Sequence, residues 1–459
     1  MSTEEAASLG AAVLVGVQFP GVTDEDHAAD LAELGRLVKT LGYQVVATIS
    51  QRRESLSAAS IVGEGKLKEL ADITGGKGVI PSGAPERKSK VRERWAREAG
   101  ENGDGDEERS SSDADGNDES SDKPKLVVVD HEITPTQARN LERATGASVL
   151  DRSGVIVDIF HRHAKTREAK LQVEIARLNY VAPRMRESAD SERRAGRGAG
   201  ESALELDRRK VRDRIAELRK ELEAIQVRDE GRRQGRQGQL RVALVGYTNA
   251  GKSSLMRALT GSDVLVQDKL FATLDTTVRA LKPETKPRLL VSDTVGFIKK
   301  LPHDLVASFR STLDEARDAS LLLFIVDASD PTHEAQLEVT RAVLGEIGAD
   351  AVPSRLVLNK CDKLDLAARE VLELEHPGAL FVSAKSPDDV ERVRQTIVDF
   401  FEQSMRDEEF LIPYDKQRMV GEAHDEARVL SETYEDGGAR LRVRALPATL
   451  VRLRRALTE

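Results

Sequence analysis

A glycine-rich loop near the middle of the chain carries residue types that bind phosphate. Residues 246–253 read GYTNAGKS and fit the pattern G-x-x-x-x-G-K-[ST]. Gly246 and Gly251 let the backbone turn so that successive N–H groups face phosphate oxygens, and the positive end of the following helix adds to this attraction. We expect Lys252 to reach the β- and γ-phosphates of a nucleotide and the Ser253 hydroxyl to bind Mg²⁺. The loop therefore predicts a nucleotide-binding site.

Two later motifs have the order and placement that a guanine-nucleotide switch requires. Residues 293–296, DTVG, end a predicted strand, which puts Asp293 near Mg²⁺ through water and the Gly296 N–H where a γ-phosphate would lie. Residues 359–362, NKCD, end another strand. The carboxylate of Asp362 can accept hydrogen bonds from guanine N1 and the exocyclic amine. Adenine lacks that donor pair, so the motif predicts selection of GTP over ATP.

A third motif and a switch loop complete the predicted site. Residues 383–385, SAK, follow a short strand and would support the base with a main-chain N–H. Residues 270–277, LFATLDTT, lie between the phosphate loop and the DTVG motif. One threonine there must supply a second Mg²⁺ ligand when γ-phosphate is present, which orders the loop. Physical reasoning alone does not choose among Thr273, Thr276 and Thr277.

Two positions predict how the site turns over. Phe297 follows Gly296, where Ras-like proteins carry a glutamine that orients the attacking water. An apolar side chain cannot do this by hydrogen bonding, so we expect slow intrinsic hydrolysis that needs an outside partner. Asn249 occupies the position that coordinates K⁺ in some cation-dependent GTPases. A K⁺ ligand and an asparagine that only stabilises the turn are equally supported there.

Alternating strands and helices must position these motifs. Near-continuous apolar runs predict strands of a parallel sheet covered on both faces at 240–245, 288–292, 321–327, 355–359 and 380–383. Before them, a second parallel α/β domain is predicted, with strands at 11–19, 44–49, 126–129 and 153–160 and helices at 26–41, 66–73 and 136–144. After them, a strand at 439–443 and a helix at 448–457 predict a small α/β appendage whose function the residues do not reveal. Within the first domain, the glycines of residues 62–66 favour a turn and helix cap over an anion site.

A charged segment joins the two α/β domains and predicts a helical arm. Two stretches with apolar stripes, separated by the polar residues 186–200, favour an antiparallel helical hairpin, and Pro183 is expected to end its first helix. Basic residues cluster along it: Arg162, Lys165, Arg167, Lys170, Arg177, Arg184, Arg186, Arg193, Arg194, Arg197, Arg228, Arg232, Arg233 and Arg236. This local positive charge favours contact with an RNA backbone over a plain interdomain spacer.

Composition limits the remaining possibilities. The chain has 459 residues, Lys+Arg 70 and Asp+Glu 79, and a net charge of -9, so any nucleic-acid surface must be local. Cys361 is the single cysteine, which excludes an internal disulfide and a cysteine-based metal cluster. The acidic start lacks a signal peptide and no apolar run has membrane-spanning length, so we expect a cytoplasmic protein without membrane contact. Residues 101–122 are rich in acid, serine and glycine and predict a disordered surface insertion.

With these residues in view, the sequence resembles the HflX family, translation-factor-related GTPases that bind the large ribosomal subunit. The resemblance covers nearly the whole chain and rests on VGEGK, TPTQARNLE, DRSGVIVDIFHRHAKTREAKLQVEIARLNYVAPRM, GRGAGESALELDRRKVRDRI, GYTNAGKSSL, LFATLD and SDTVGFI. It implies an N-terminal domain whose glycine-containing arm engages ribosomal RNA near the peptidyl-transferase region. It also implies residues 271–275 as nucleotide contacts, Thr273 as the Mg²⁺ ligand, and an apolar residue after Gly296 as a family trait. The acidic insertion departs from the family pattern and puts in doubt how the N-terminal domain meets its partner.

Together these observations predict four parts: an α/β domain over 1–160 with an insertion at about 86–123, an arm over 161–238, a Ras-like P-loop GTPase domain over 239–405, and an appendage over 406–459. The expected partners are GTP, GDP and the large ribosomal subunit, and the expected state away from the ribosome is a monomer. The expected role is splitting or recycling of ribosomes or translation quality control, with ribosome assembly or a GTP-gated anti-association module as alternatives. Catalysis is assigned to Lys252, Thr273 and Gly296. The predicted nucleotide contacts are Gly246, Tyr247, Thr248, Asn249, Ala250, Gly251, Lys252, Ser253, Phe271, Ala272, Thr273, Leu274, Asp275, Asp293, Thr294, Val295, Gly296, Asn359, Lys360, Cys361, Asp362, Ser383, Ala384 and Lys385.

Overall fold

The computed structural model describes residues 10–56, 59–80, 123–193, 200–234, 240–262, 270–271, 276–300 and 310–458. The predicted disordered insertion at 101–122, the arm residues 194–199 and the switch residues 272–275 lie outside this range. The chain divides into two compact units, Met1–Val155 and Ile156–Glu459. Within the described residues, no helix is long and apolar enough to cross a membrane.

The first unit is built on a parallel sheet with strand order β2-β1-β3-β4. Its strands are β1 Gly10–Gln18, β2 Tyr43–Arg52, β3 Leu126–Val129 and β4 Ser148–Asp151, and its helices are α1 Asp24–Thr40, α2 Glu64–Thr74 and α3 Pro135–Thr145. Caps fix where the helices begin, because the hydroxyls of Thr23 and Thr134 accept hydrogen bonds from the first-turn amides. Gly63 is the residue before α2, as the cap interpretation of residues 62–66 requires.

The strand expected at 153–160 is wrong, because these residues lie in helix α4, Arg152–His163, and the last strand is β4 just before it. The Asp151 carboxylate accepts a 2.8 Å hydrogen bond from the Gly154 N–H, which caps the first turn of a helix. Buried Val155, Ile156, Ile159 and Phe160 recur at helical spacing. The apolar run fits a buried strand or helix equally well, and the cap decides between them.

A buried arginine holds the start of α4. Arg152 is 1% exposed, and its guanidinium donates a 2.8 Å hydrogen bond to the Asp130 carboxylate and another to Glu33. Asp130 directly follows β3, and Glu33 lies on α1. The arginine therefore joins three elements of the first unit through a closed ionic cluster.

The arm is a pair of long helices, α5 Arg167–Arg193 and α6 Gly200–Gln234. Leu171, Ile175 and Leu218 are buried between them, with Leu178, Ile215, Leu222 and Ile225 packed alongside. Helices that pack along their stripes and are joined by only the short segment 194–199 must run antiparallel, as predicted. The expectation that Pro183 ends the first helix is wrong, because Pro183 lies inside α5 on its exposed side. There the lost N–H donor leaves a carbonyl that water can satisfy.

The second sheet has the order β10-β9-β8-β5-β7-β6, with only β6 antiparallel to its neighbour. The strands are β5 Leu240–Gly246, β6 Thr277–Ala280, β7 Leu289–Asp293, β8 Leu321–Asp327, β9 Ser354–Asn359 and β10 Leu380–Phe381. The helices are α7 Lys252–Thr260, α8 Arg310–Arg317, α9 His333–Glu346, α10 Leu366–Glu375 and α11 Pro387–Ser404. Apolar clusters cover both faces of the sheet, which explains the near-continuous apolar strands.

The C-terminal appendage is a three-stranded antiparallel sheet of order β11-β13-β12 with two helices. Its elements are β11 Arg406–Ile412, α12 Arg418–Glu426, β12 Arg428–Glu435, β13 Gly438–Ala445 and α13 Pro447–Thr458. It has its own apolar core, which includes Phe410, Leu441, Val443 and Leu453. The predicted strand and final helix are confirmed, and β11, α12 and β12 are additional.

Candidate nucleotide-binding site

The phosphate loop connects β5 to α7, and no other residue type fits at either of its two glycine positions. Gly246 has φ 151°, and a Cβ there would lie 2.1 Å from the Ile325 carbonyl oxygen of the neighbouring strand. Gly251 has φ 96°, and a Cβ there would lie 2.2 Å from Nδ2 of Asn359. Both positions combine a left-handed backbone with close packing, so any side chain would displace the loop.

Lys252 is the first residue of α7 and is 6% exposed. Its ammonium donates hydrogen bonds to the main-chain carbonyls of Gly246, at 3.0 Å, and Tyr247, at 2.8 Å. Burial lowers the pKa of Lys252 to about 8, and attraction to the Asp293 carboxylate opposes this shift. Neutral carbonyls do not cancel the lysine charge, so an anion such as phosphate would stabilise this ammonium strongly.

The residues expected to hold Mg²⁺ meet where the first turn of α7 lies beside the end of β7. The Ser253 hydroxyl donates a 2.7 Å hydrogen bond to Oδ2 of Asp293. Asp293 is the last residue of β7, and its side chain is fully buried. A hydroxyl and a carboxylate oxygen are ligands that Mg²⁺ prefers. The donor set therefore fits Mg²⁺.

The DTVG segment lies directly against the phosphate loop. The Thr248 N–H donates to the Phe297 carbonyl at 2.8 Å, and the Phe297 N–H donates to the Gly246 carbonyl at 3.1 Å. A Cβ on Gly296 would lie 2.8 Å from Thr248 Cα and 3.0 Å from Lys252 Nζ. The glycine therefore lets its own backbone approach the lysine ammonium closely.

Phe297 belongs to the apolar core of the domain. Its side chain is 2% exposed and packs in a cluster that includes Val245, Leu313 and Leu322. A side chain held in this core is unable to orient water beside a phosphate, as expected from the residue type.

One asparagine joins the phosphate loop to the base-binding motifs. Asn359, at the end of β9, donates from Nδ2 to the Ala250 carbonyl at 2.9 Å and accepts at Oδ1 from the Ala384 N–H at 3.1 Å. Lys360 adds a second link, because its ammonium donates to the Asn249 carbonyl and to the Asp327 carboxylate, each at 2.7 Å. Loops distant in sequence are thus fixed together on one edge of the sheet.

Asp362 has the properties of a guanine acceptor. Its carboxylate accepts hydrogen bonds from the Ser383 hydroxyl at 2.8 Å and from the Lys385 ammonium at 3.2 Å. The hydrogen bond from Ser383, followed by the contact with Lys385, lowers its pKa despite some desolvation. The group is therefore ionised at neutral pH, as an acceptor of two guanine hydrogens must be.

The structure describes part of the switch loop. Ala272, Thr273, Leu274 and Asp275 lie outside the described residues. The Phe271 side chain is 2% exposed and packs edge-to-face on Phe160, with ring centroids 4.6 Å apart, so its side chain faces α4. Thr276 has a buried hydroxyl with no hydrogen-bond partner among the described residues, and Thr277 begins β6. The choice among the three threonines stays a prediction.

Several predicted contacts offer only their main chain. The Thr294 hydroxyl donates to the Leu244 carbonyl at 2.7 Å inside the sheet, and Val295 is buried. Burial raises the pKa of the Cys361 thiol, and the main-chain N–H of Cys361 donates to the Val382 carbonyl.

Two supporting residues, Asp327 and Asp389, were not predicted, and the predicted contact Tyr247 has a supporting role as well. Asp327 pairs with Lys360, Asp389 accepts a 2.8 Å hydrogen bond from the Ser383 N–H, and the Tyr247 hydroxyl accepts one of 2.7 Å from the Lys299 N–H. Of these, Asp327 carried a usable signal, because it ends a strand at the same edge as the motifs.

Comparisons with known proteins agree with this geometry. Three family models match the chain: a GTP-binding GTPase N-terminal region over residues 28–80 and 117–161, a GTP-binding GTPase middle region over 163–236, and a "50S ribosome-binding GTPase" over 241–360. The chain is similar to the GTPase HflX of Gluconacetobacter diazotrophicus, with 63% identity over 97% of both chains. It is also similar to the GTPase HflX of Escherichia coli, with 34% identity over 94% of this chain and 93% of that one.

A solved structure of a complex of SsGBP with GDP is 24% identical, with a TM-score of 0.45, and covers 86% of this chain and 99% of that one. The two HflX relatives settle the family through their identity and coverage. The chain belongs to the GTPase HflX family and is a GTP-binding, GTP-hydrolysing enzyme.

Proposed function

We propose that the protein is a GTP-dependent switch that binds the large ribosomal subunit and acts in ribosome splitting, recycling or translation quality control. The observation that carries the nucleotide part is the chain of contacts from Asp362 through Ser383 and Asn359 to the phosphate loop. It provides an ionised acceptor for guanine on the same rigid edge as the buried Lys252 ammonium. A cytoplasmic location and a monomeric state away from the ribosome are parts of the same proposal.

The chemistry is attack of water on the γ-phosphate. Lys252 and the main-chain N–H groups of residues 246–253 stabilise the negative charge that develops on the phosphate oxygens, and the Gly296 N–H contacts the γ-phosphate. Ser253, with Thr273 as a second ligand, would hold Mg²⁺, which neutralises phosphate charge when bound. Thr273, through Mg²⁺, and the Gly296 N–H would both contact the γ-phosphate end of GTP. The switch loop would therefore be ordered only in the GTP state.

The arm supports contact with ribosomal RNA. Basic side chains on its described part are exposed at Arg162, Lys165, Arg167, Lys170, Arg177 and Arg228. Arg184 stacks on the Tyr180 ring, with its guanidinium carbon 3.7 Å from the ring centroid. A basic surface on a chain of net charge -9 suits a phosphate backbone, whereas a plain spacer needs no such charge. The description of the family model matching residues 241–360 as a 50S ribosome-binding GTPase points to the same partner.

Buried Phe297 supports a turnover that depends on the partner. Because this side chain packs in the core, the site lacks a polar group at the position used by Ras-like proteins to orient water. We expect slow hydrolysis by the isolated protein and strong stimulation by large ribosomal subunits. Single-turnover hydrolysis with and without purified subunits measures this, and fast turnover without them would contradict it.

Sedimentation distinguishes the proposal from its alternatives. Purified mature ribosomes are mixed with the full chain and a non-hydrolysable GTP analogue and then separated by size. Binding to free large subunits, followed by multiple rounds of splitting only with GTP, supports the proposed enzyme. Complete splitting without any need for hydrolysis favours a GTP-gated anti-association module. Selective migration with immature particles favours an assembly GTPase, and absence from every ribosomal fraction contradicts all three.

A charge-removal variant tests the arm. Replacing Arg193, Arg194 and Arg197 by Ala should weaken ribosome binding while nucleotide affinity stays unchanged. The matched control replaces Arg341, Arg355 and Arg406, which are exposed outside the arm, and removes the same charge. Equal ribosome binding by both triple variants would favour a plain spacer over an arm that contacts RNA.

A K⁺ dependence is a further part of the proposal. Asn249 has φ 60°, and its carbonyl accepts the Lys360 ammonium, so its side chain is not needed for that link. Hydrolysis by the ribosome-bound protein should be faster in K⁺ than in Na⁺ if Asn249 ligates the ion. Equal rates would support an asparagine that only stabilises the turn.

A further inference from the structure

Two histidines and two glutamates meet on the GTPase domain away from the nucleotide motifs. His333 and Glu334 are the first residues of α9, Glu375 is the last residue of α10, and His376 follows it directly. Ligand atoms of His333, Glu375 and His376 lie within 4.8 Å of one another. Neither histidine belongs to any motif that the nucleotide site uses.

The hydrogen bond of His333 fixes its free nitrogen. Its Nδ1 lies 3.0 Å from the Asp330 carbonyl oxygen, which can only accept, so Nδ1 must carry the proton. In the neutral ring this leaves the Nε2 lone pair available. Nε2 is buried and has no hydrogen-bond partner among the described residues. Metal-binding histidines have the same arrangement, in which one ring N–H donates to a carbonyl and the other nitrogen binds the metal.

His376 presents a second nitrogen to the same place. Its ring centroid lies 6.3 Å from that of His333, and both side chains are 15% exposed. Glu334 Oε1 lies 2.6 Å from His376 Nε2 and 3.7 Å from His333 Nε2. The Glu334 carboxylate therefore lies within ion-pair distance of both nitrogens, while neither Nε2 has a hydrogen bond within the described part of the chain.

We propose that His333, His376 and Glu375, with Glu334 as a fourth donor, form a binding site for a divalent transition metal of the zinc class. Two imidazoles with carboxylates are a zinc-type donor set, whereas Mg²⁺ and Ca²⁺ prefer oxygen alone. Two carboxylates would balance the charge of the ion. Four ligands at about 2.0–2.2 Å lie roughly 3.3–3.6 Å apart, so the exposed Glu375 side chain needs only a modest rotation. The ion would fasten the end of α10 to the start of α9.

Cobalt titration tests the site. The full chain is freed of metal by chelation and then saturated with GDP and Mg²⁺, so that the nucleotide site is filled. Added Co²⁺ should give one equivalent of a visible absorption band typical of a four-coordinate nitrogen and oxygen site, and Zn²⁺ should displace it. The double variant His333→Gln, His376→Gln should lose affinity by about 100-fold or more, because it removes both nitrogen ligands.

Two single variants guard against misinterpretation. Glu375→Gln changes an exposed side chain and should weaken Co²⁺ binding by about tenfold without disturbing the fold. His424→Gln removes a histidine that pairs with Glu432 in the appendage and should leave the titration unchanged. The proposal is overturned if the wild-type protein shows no stoichiometric band, or if the double variant still binds GDP and retains the wild-type cobalt affinity. If the double variant no longer binds GDP, its fold is disturbed and Glu375→Gln becomes the test. An unchanged Co²⁺ affinity of Glu375→Gln would then contradict the proposal.

Discussion

Each of the two α/β sheets has a buried cation in the segment that follows one of its parallel strands, and the partners of the two cations differ. Arg152 follows β4 and is 1% exposed, with the carboxylates of Asp130 and Glu33 on its guanidinium. Lys252 follows β5 and its loop, is 6% exposed, and has two neutral carbonyls on its ammonium. The first charge is cancelled by the protein itself. The second is offset only in part, by attraction to the Asp293 carboxylate, and a bound anion would complete the balance.

The difference shows what marks a site in this fold. Polar residues at the carboxyl ends of parallel strands are common to both sheets, so their position alone does not predict ligand binding. A buried cation that already has carboxylate partners stabilises the fold, whereas one bonded to carbonyls has a lowered pKa and gains from a bound anion. Each prediction below changes one side of this comparison.

The largest effect is expected from Lys252→Ala. Loss of the ammonium removes the charge that stabilises the transferring phosphoryl group, so the rate of GTP hydrolysis should fall by about 1,000-fold or more. Ribosome-stimulated single-turnover hydrolysis measures the change. Arg257→Ala, which removes an exposed cation from the same helix, is the control and should keep the wild-type rate.

Arg152→Met should act on stability instead. It strands Asp130 and Glu33 as buried carboxylates, which should cost about 3–5 kcal/mol of unfolding free energy in the first unit. Denaturant unfolding of the full chain measures the loss, and GDP affinity of the folded protein should stay within about twofold, because the nucleotide site does not use this arginine. A large loss of GDP affinity in the folded variant would contradict a purely structural role of Arg152.

Asp362→Asn should change which base is bound. Asparagine offers one acceptor and one donor, so it cannot accept both guanine hydrogens, and GTP affinity should fall by about 100-fold. Xanthine carries a carbonyl where guanine carries the amine, so the variant should bind xanthosine triphosphate better than GTP. Competition between the two nucleotides decides, and unchanged GTP preference would remove Asp362 from base recognition.

The smallest effect is a pH dependence. Burial lowers the pKa of Lys252 from its ordinary 10.5 to about 8, and a bound phosphate would raise it. Nucleotide binding then takes up a proton above pH 8, so GDP affinity should fall by up to about tenfold per pH unit there. Equilibrium binding between pH 7 and 9 measures the slope. Lys252→Arg should flatten it, since arginine stays charged throughout, and a flat wild-type profile would refute the shift.

The sequence was most informative where chemistry and periodicity agreed. The motifs of the nucleotide site follow strands whose apolar runs have strand length, so β5, β7, β8 and β9 were predicted closely. Their contacts, such as the bond between Ser253 and Asp293, follow from the parallel order of these strands. The Ser153–Phe160 region was predicted wrongly because its short apolar run fits a buried strand and a buried helix equally well, and the Asp151 cap was overlooked.

Exposed edge strands gave the weakest signal. β12 is mostly exposed and carries charged residues, so it lacks the apolar alternation of a half-buried strand. β6 is only partly buried and lies at the antiparallel edge of its sheet. Asp327 was missed for another reason: its place at a strand end was its one signal, and its pairing with Lys360 becomes visible only when the fold brings the two together.

The double hydrogen bond of Asn359 has a thermodynamic consequence for the order in which a nucleotide engages the protein. One amide group holds the Ala250 carbonyl and the Ala384 N–H at fixed separation, so the protein itself holds two recesses in register, one at the phosphate loop and one at the base motifs. Once either end of a nucleotide has bound, the other end meets its partners at a high effective concentration and with little entropy left to lose. The two recesses therefore act as a chelate, and affinity for the intact nucleotide should greatly exceed what either half would reach alone.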